Sequence, residues 1–386
     1  MRVVRPHGYP SLFNTPRHSR HTIIAQKWLP LHKVWKPLEV ALVPLGGARP
    51  DMIASFNRIP LGRTPFTITF ESHLPRLFAY EKSAAFRFFT QRLAGNSCRR
   101  IIPISRFAQA MFLRQHAGSP EAEILARKAA TVVYPAVDVP ETIDTAPATP
   151  DGLRVLFVGH HFSRKGGTAL LHAAAEAHRR SLPISFEIVS NLTVGGENGV
   201  WTDPPNASFF DADLKHLDLP NVTHHGKLDN QAVLQLLRVC DVSLLPTLCD
   251  TFGYSILESM AAGVPVIATR AYALPEIITS GVTGQLLDLE TDSRGEWAYM
   301  FRMDKSSARF GTIYRDTIDN LSKQILVALT NFLDNPDTLA QMKVAAHREA
   351  LQRFDSRKQS VILDDIYDAA FTTFGSGYRE TSHSQV

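Results

Sequence analysis

Two stretches of this chain hold residues whose types and spacing could do chemistry. In the first, an apolar run closing on Gly159 leads through a polar loop to Arg164-Lys165-Gly166-Gly167, at the entrance of a predicted helix. A helix N-terminus presents backbone N–H groups that lack intrahelical partners and the positive end of a dipole. Glycines let a ligand approach the backbone closely. Arg and Lys add charge-assisted bonds, which Arg can make in pairs. The combination reads as a cradle for a phosphate or diphosphate, with a basic loop around a tight turn as the plainer alternative. It is neither GxxxxGK[ST] nor GxGxxG, which disfavours a P-loop NTPase and the NAD fingerprint. The second stretch is Asp250-Thr251-Phe252-Gly253-Tyr254-Ser255-Ile256-Leu257-Glu258. Asp250 falls in a loop after a predicted strand, and Glu258 stands one turn into the next helix. The amides of Gly253, Tyr254 and Ser255 open that helix and can face an anion. The two carboxylates can accept hydrogen bonds from the hydroxyls of a sugar and a ribose. The alternative is a turn aspartate and a solvated glutamate.

The elements that must position these residues follow a regular order. Arg154–Gly159, Ile184–Val189, Val222–Gly226, Asp241–Pro246 and Val264–Thr269 are short apolar runs that read as strands. Between them, Thr168–Arg180, Asn230–Cys240 (with Asn230 as N-cap) and Ser255–Ala262, closed by Gly263, read as helices. Strands and helices alternating in this way predict a parallel sheet with helices on both faces, and such sheets bind ligands at the carboxyl ends of their strands. The N-terminal half also reads as α/β. Its strands are Phe66–Phe70, Arg100–Ile104 and Thr131–Tyr134, with helices over Ser83–Ala94 and from Arg106, the latter capped by Ser105. Residues 320–335, 337–352 and 356–371 read as amphipathic helices. Residues 141–152, rich in Pro, Thr and Ala, have the signature of a linker. The expected division is therefore 1–148, 149–355, a C-terminal helix over 356–373 packing back toward the N-terminal domain, and a disordered polar tail over 374–386.

Composition narrows the function. The 386 residues, 44% apolar and 20% charged, describe a globular chain of two to three domains. No apolar run of about 18 residues is present to span a membrane, and the first residues lack the apolar core of a secretory signal. Cys98, Cys240 and Cys249 have neither the number nor the spacing of a disulfide framework or a zinc site, so a reducing cytoplasm is the simplest compartment. Residues 1–150 hold 20 Lys+Arg against 9 Asp+Glu, and the remainder 21 against 28. A basic half suits an anionic acceptor, or peripheral contact with an anionic membrane at its inner face. Nucleic acid is not expected, since no RNP aromatic motif, zinc finger or basic heptad region is present. No metal site is expected either. Asp211-Ala212-Asp213 reads as a turn, and the neighbours in His160-His161 and His224-His225 point to opposite faces of a strand. Ser255 lies outside a GxSxG elbow, so it is not read as an acyl-transfer nucleophile.

Taken together, the motifs resemble a known family. Phe157-Val158-Gly159 followed by Arg164-Lys165-Gly166, His225-Gly226-Lys227-Leu228, Cys240 to Pro246, Asp250 to Ile267, Leu274-Pro275-Glu276-Ile277-Ile278 and Gly281 to Gly284 occur in order over about residues 153–288. In this region the chain resembles the C-terminal domain of the family 4 retaining glycosyltransferases, which have the GT-B fold. The resemblance implies two Rossmann-like, doubly wound α/β domains facing across a cleft, here with a short or atypical N-terminal domain. It implies that Arg164 and Lys165 neutralise a donor diphosphate. It places Glu258 at the second glutamate of the family's E-x7-E motif, which holds the ribose hydroxyls. Asp250, at the first glutamate's position, would contact the donor sugar with a side chain one methylene shorter. Phe252, Gly253, Tyr254 and Ser255 match the backbone that approaches sugar and phosphate, and Lys227 and Leu228 the stretch that meets the base. In the N-terminal half, Arg100–Phe107 and Val133–Asp138 match less closely, and Gly46-Gly47 is the paired-glycine candidate for the family's first loop. Glu71 stands where the family often has a histidine directed at the donor sugar, with His73 two residues on.

The implied activity is transfer of a sugar, with retention, from a nucleotide-diphosphate sugar to a glycan, lipid-linked or other cell-surface acceptor. No cofactor is implied beyond that donor substrate. The rival reading is a catalytically inactive relative that binds nucleotide or a partner. A glycoside hydrolase, with two carboxyls about one bond, fits a phosphate cradle poorly. An epimerase or phosphorylase on the same fold is the remaining alternative.

Overall fold

A computed structural model describes residues 1–33, 35–45, 50–78, 80–144, 152–198 and 200–379. Gly46-Gly47, most of the expected linker and residues 380–386 lie outside the described residues. The chain forms two compact units. One comprises Met1–Asp138 together with the chain from Arg353 on, and the other Val139–Gln352.

The first unit carries strands β1 (Arg2–Pro6), β2 (Thr22–Gln26), β3 (Ala41–Leu42), β4 (Met52–Phe56), β5 (Ile59–Pro60), β6 (Phe66–Phe70) and β7 (Cys98–Pro103), and helices α1 (Tyr9–Phe13), α2 (Ala84–Ala94), α3 (Arg106–Gln115) and α4 (Ala122–Lys128). Its sheet runs β2-β1-β4-β6-β7 and is parallel throughout; β3 and β5 form a separate pair. Ser83 and Ser105 each accept a hydrogen bond from the third amide of their helix, as N-caps do. Residues 131–134 are not a strand. Val133 instead donates its amide to Pro103 O at 3.1 Å and buries its side chain, so an apolar β-branched run here serves packing and not a ladder.

The second unit carries β8 (Leu153–Val158), β9 (Ile184–Val189), β10 (Val222–His224), β11 (Val242–Leu245), β12 (Val266–Thr269) and β13 (Gly284–Leu287). Its helices are α5 (Gly167–Arg179), α6 (Asp211–Leu214), α7 (Asn230–Leu237), α8 (Tyr254–Ala261), α9 (Leu274–Ile277), α10 (Ala308–Asp334) and α11 (Pro336–Arg353). The six strands lie in the order β10-β9-β8-β11-β12-β13, all parallel. Side chains alternate along β8, so Val155 and Phe157 join α5 and α10 in one apolar core while Leu156 joins Val233 and Leu237 of α7 in another. Helices thus cover both faces, as parallel sheets require.

The chain then returns to the first unit as α12 (Ser356–Arg379). Leu363, Tyr367 and Ala370 pack with Val3, Met52, Ala54 and Ile102 in that unit's core. The helix runs past Gly375, where a polar tail is expected, to Arg379. Asp211-Ala212-Asp213 belongs to α6 and is not a turn. Asp213 is there bonded to His172 of α5 at 2.8 Å. Among the described residues, no helix is long and apolar enough to cross a membrane.

Candidate functional site

In the order β10-β9-β8-β11-β12-β13 the connections reverse direction between β8 and β11, and a parallel sheet opens a crevice at that switch point beyond the strands' carboxyl ends. The loop after β8 carries Arg164 and Lys165; the loop after β11 carries Asp250. The topology alone brings the two sequence stretches together.

The loops are locked to one another by backbone. Arg164 O accepts from Leu248 N at 2.8 Å and from Thr247 Oγ1 at 3.0 Å. Gly166, at φ 86, leaves no room for a side chain: a Cβ there would stand 2.0 Å from Pro246 O. Gly166→Ala is therefore expected to destabilise the protein by about 2–4 kcal/mol, combining left-handed strain with overpacking, as read from urea denaturation. Gly159 ends β8's run, with its amide on Val189 O at 3.0 Å.

The side chains close the arrangement. Lys165 Nζ donates to Asp250 Oδ2 at 2.5 Å, and Arg164 Nη1 to the Cys249 carbonyl at 2.7 Å. Asp250 Oδ1 accepts from the amides of Gly253 at 3.0 Å and Phe252 at 3.3 Å. Two of the four backbone amides expected to meet a ligand are thus engaged by Asp250 itself. The first turn of α8, which includes Ser255, supplies the others; Gly253, at φ 82, is the N-cap that sets their direction. The ring of Phe252 is fully buried and belongs to the core. Burial on its own would push the Asp250 carboxyl up, but Lys165 and Arg164 beside it outweigh that and hold it below the usual carboxylate range. Burial and the Arg164 charge push His161 down to about 4, so this ring is neutral at pH 7.

Glu258 is buried one turn into α8, at 8% exposure, and Oε1 accepts from Asn230 Nδ2 at 2.7 Å. That contact corrects the expected cap of α7. Asp229 is the N-cap, bonding Ala232 N at 2.8 Å, because Asn230 is turned toward Glu258. Asn230, which the sequence alone assigned to a capping role, thus pairs with a candidate site residue. Lys227 is exposed; Leu228 packs onto the cluster of Leu156 and Val233. The Tyr272 hydroxyl donates to Leu248 O at 3.0 Å from a residue held at φ 55, a left-handed conformation that is rare for an aromatic side chain.

Glu71 and His73 lie in the first unit, just past the carboxyl end of β6. Glu71 Oε1 accepts from Arg76 Nη1 at 2.6 Å and Asn57 Nδ2 at 3.1 Å, while its amide donates to Asn57 Oδ1. His73 packs edge-on to Phe78, with ring centroids 5.3 Å apart.

Comparison with known proteins follows this division. Residues 152–299 match the family model described as Glycosyl transferases group 1. Among curated proteins, the chain is 30% identical over 149 residues to a D-inositol 3-phosphate glycosyltransferase of Paenarthrobacter aurescens, covering 39% of this chain and 34% of that one. It is 29% identical over 138 residues to an uncharacterized 41.2 kDa protein in the cps region of Klebsiella pneumoniae, covering 36% and 33%. The matched region thus spans about a third of the length of these relatives. Among solved structures, Anabaena HepE in complex with UDP-glucose aligns with a TM-score of 0.60 at 16% identity, over 96% of this chain and all of that one. Sucrose-phosphate synthase from Thermosynechococcus elongatus aligns with a TM-score of 0.58 at 14% identity, over 96% and 89%. At these identities the likeness is one of fold, and the fold is GT-B.

Proposed function

We propose that the protein is a retaining glycosyltransferase of family 4 that moves a sugar from a nucleoside diphosphate sugar to a glycan, lipid-linked or other cell-surface acceptor. The observation that carries this reading is the convergence of Arg164, Lys165, Asp250 and the start of α8 at the switch point of the second unit's sheet. The names of the D-inositol 3-phosphate glycosyltransferases and the UDP-glucose bound to HepE support it.

In this reading the difficult event is departure of the leaving group, during which negative charge grows on the diphosphate. Fixed cations and amides aimed at that charge lower the barrier. A lysine ammonium has three donors and a guanidinium five. Lys165 can therefore keep Asp250 and Arg164 keep the Cys249 carbonyl while each turns further N–H groups to the phosphates. Glu258 holds the ribose hydroxyls, backed by Asn230. Asp250, oriented by Lys165 and two amides, meets the donor sugar. Lys227 and Leu228 lie along the base, and Glu71 and His73 are assigned to the sugar's surroundings. The reaction runs without a metal or other cofactor in this account.

The basic first unit fits an anionic acceptor, or peripheral contact with an anionic membrane from the cytoplasmic side. Phe78, Tyr80 and Phe88 are about half-exposed there, interleaved with exposed Arg76, Lys82 and Arg87.

The test is incubation with UDP-, GDP- and ADP-sugars and a candidate acceptor, reading nucleoside diphosphate release and the anomeric coupling of the product by NMR. Release with one base and an unchanged anomeric configuration are expected. An inverted product would contradict retention. Binding of a nucleoside diphosphate without turnover on any donor would favour the inactive relative, the reading to which Asp250 in place of glutamate lends some weight.

A further inference from the structure

Beneath the Arg164-Lys165 loop lies a buried polar link that neither the motifs nor the proposed chemistry uses. Asp203 is 1% exposed, on the long connection from β9 to β10. Oδ2 accepts from the Ser163 hydroxyl in a very short contact and from Gly195 N at 2.8 Å; Oδ1 accepts from Thr202 Oγ1 at 2.9 Å. Ser163 is fully buried and immediately precedes Arg164. Its carbonyl accepts from Gly166 N at 2.9 Å, so the residue spans the turn that presents Arg164 and Lys165. Phe162 N donates to Thr193 O at 3.0 Å, tying the same turn to the same connection.

The loop is therefore held from two sides. On one, Arg164 O is fixed by Leu248 and Thr247; on the other, Ser163 is fixed by Asp203. We propose that Asp203, acting through Ser163, is a positioning residue that sets the Arg164-Lys165 turn in the geometry needed to receive a diphosphate. This rests on the glycosyltransferase reading and deepens it by naming what preorganises the cradle. Burial pushes the Asp203 carboxyl up to about 6 against the opposing pull of its three donors, so keeping it ionised at neutral pH works against the stability of the fold. Stability alone does not explain a buried carboxylate at this place; a fixed turn does. Electrostatic catalysis gains from donors that need no reorganisation when charge develops.

The test compares full-length wild type with Ser163→Ala, Asp203→Asn and the double variant. Each is titrated calorimetrically with the nucleoside diphosphate that wild type prefers among UDP, GDP and ADP, and with the monophosphate of the same base. The positioning role lowers affinity for the diphosphate about tenfold in each single variant, leaves the monophosphate within about twofold, and makes the double variant no worse than the singles, because both sides of one contact are removed. If Asp203→Asn does not fold, Ser163→Ala decides the matter, since it leaves Asp203 its bonds to Gly195 and Thr202. A folded Ser163→Ala with an unchanged ratio of diphosphate to monophosphate affinity overturns the inference and leaves the glycosyltransferase reading standing. Failure of wild type to bind any of the three diphosphates overturns both.

Discussion

Glu258→Ala is expected to weaken binding of the preferred nucleoside diphosphate by about a hundredfold. A hydrogen bond to a charged group is worth about 1.5–3 kcal/mol, so a hundredfold, about 2.7 kcal/mol, corresponds to the loss of between one and two such bonds from ribose hydroxyls. The carboxylate sits at 8% exposure and is oriented by Asn230 at 2.7 Å, so it is prepaid in position and should lose little on binding. Glu258→Gln keeps one acceptor and loses the charge, and should fall between wild type and alanine. Calorimetric titration of the three proteins, with melting temperatures to show that each is folded, checks the order. Equal affinities across folded variants would remove the ribose from Glu258.

Arg164→Ala is expected to lower kcat by about 10²–10³ with a change of less than about tenfold in the donor KM, the pattern of an interaction strongest in the transition state. Arg164→Lys should recover part of the loss, because the charge returns without the planar fork. Lys165→Ala should lower kcat similarly and also destabilise the fold. It leaves the Asp250 carboxylate, 9% exposed, without the ammonium at 2.5 Å, and removing one partner of a buried pair costs about 3–5 kcal/mol. Lys165→Ala with Asp250→Asn removes the stranded charge. If that double variant regains stability yet turns over more slowly than Asp250→Asn alone, Lys165 serves the leaving group; if it is as stable and as fast as Asp250→Asn alone, Lys165 serves only to hold Asp250.

Much of the second unit was legible from sequence because its signals are local. β11 and β12 are buried on both faces and β8 nearly so, β9 alternates apolar residues with Ser185 and Glu187, and Gly263 marks the end of α8. The loop–helix placement of Asp250 and Glu258 followed directly. What sequence could not show was pairing at a distance. Asn230 looks like a helix cap from its neighbours, and its turn toward Glu258, 28 residues on, is a tertiary fact. Asp203 and Ser163 are 40 residues apart, with no motif linking them. The engagement of the Phe252 and Gly253 amides by Asp250 likewise depends on how the loop closes.

The first unit was harder to read for a different reason. β1 offers only Val3 and Val4 between two arginines, β4 only five residues from Met52 to Phe56, and α1 is a single short turn of helix. Elements this brief carry too few positions for a period to emerge. Their core is completed by Leu363, Tyr367 and Ala370 of α12, from the far end of the chain. The return of this helix toward the N-terminal half is expected from sequence; the residues it meets there, Val3, Met52, Ala54 and Ile102, are not.

The measurement that tests the central claim most directly is calorimetric titration of the wild-type protein with UDP, GDP and ADP, each repeated on Glu258→Ala. The account predicts saturable one-to-one binding of one of the three, lost in the variant. Absence of binding by all three to the folded wild-type protein would contradict it.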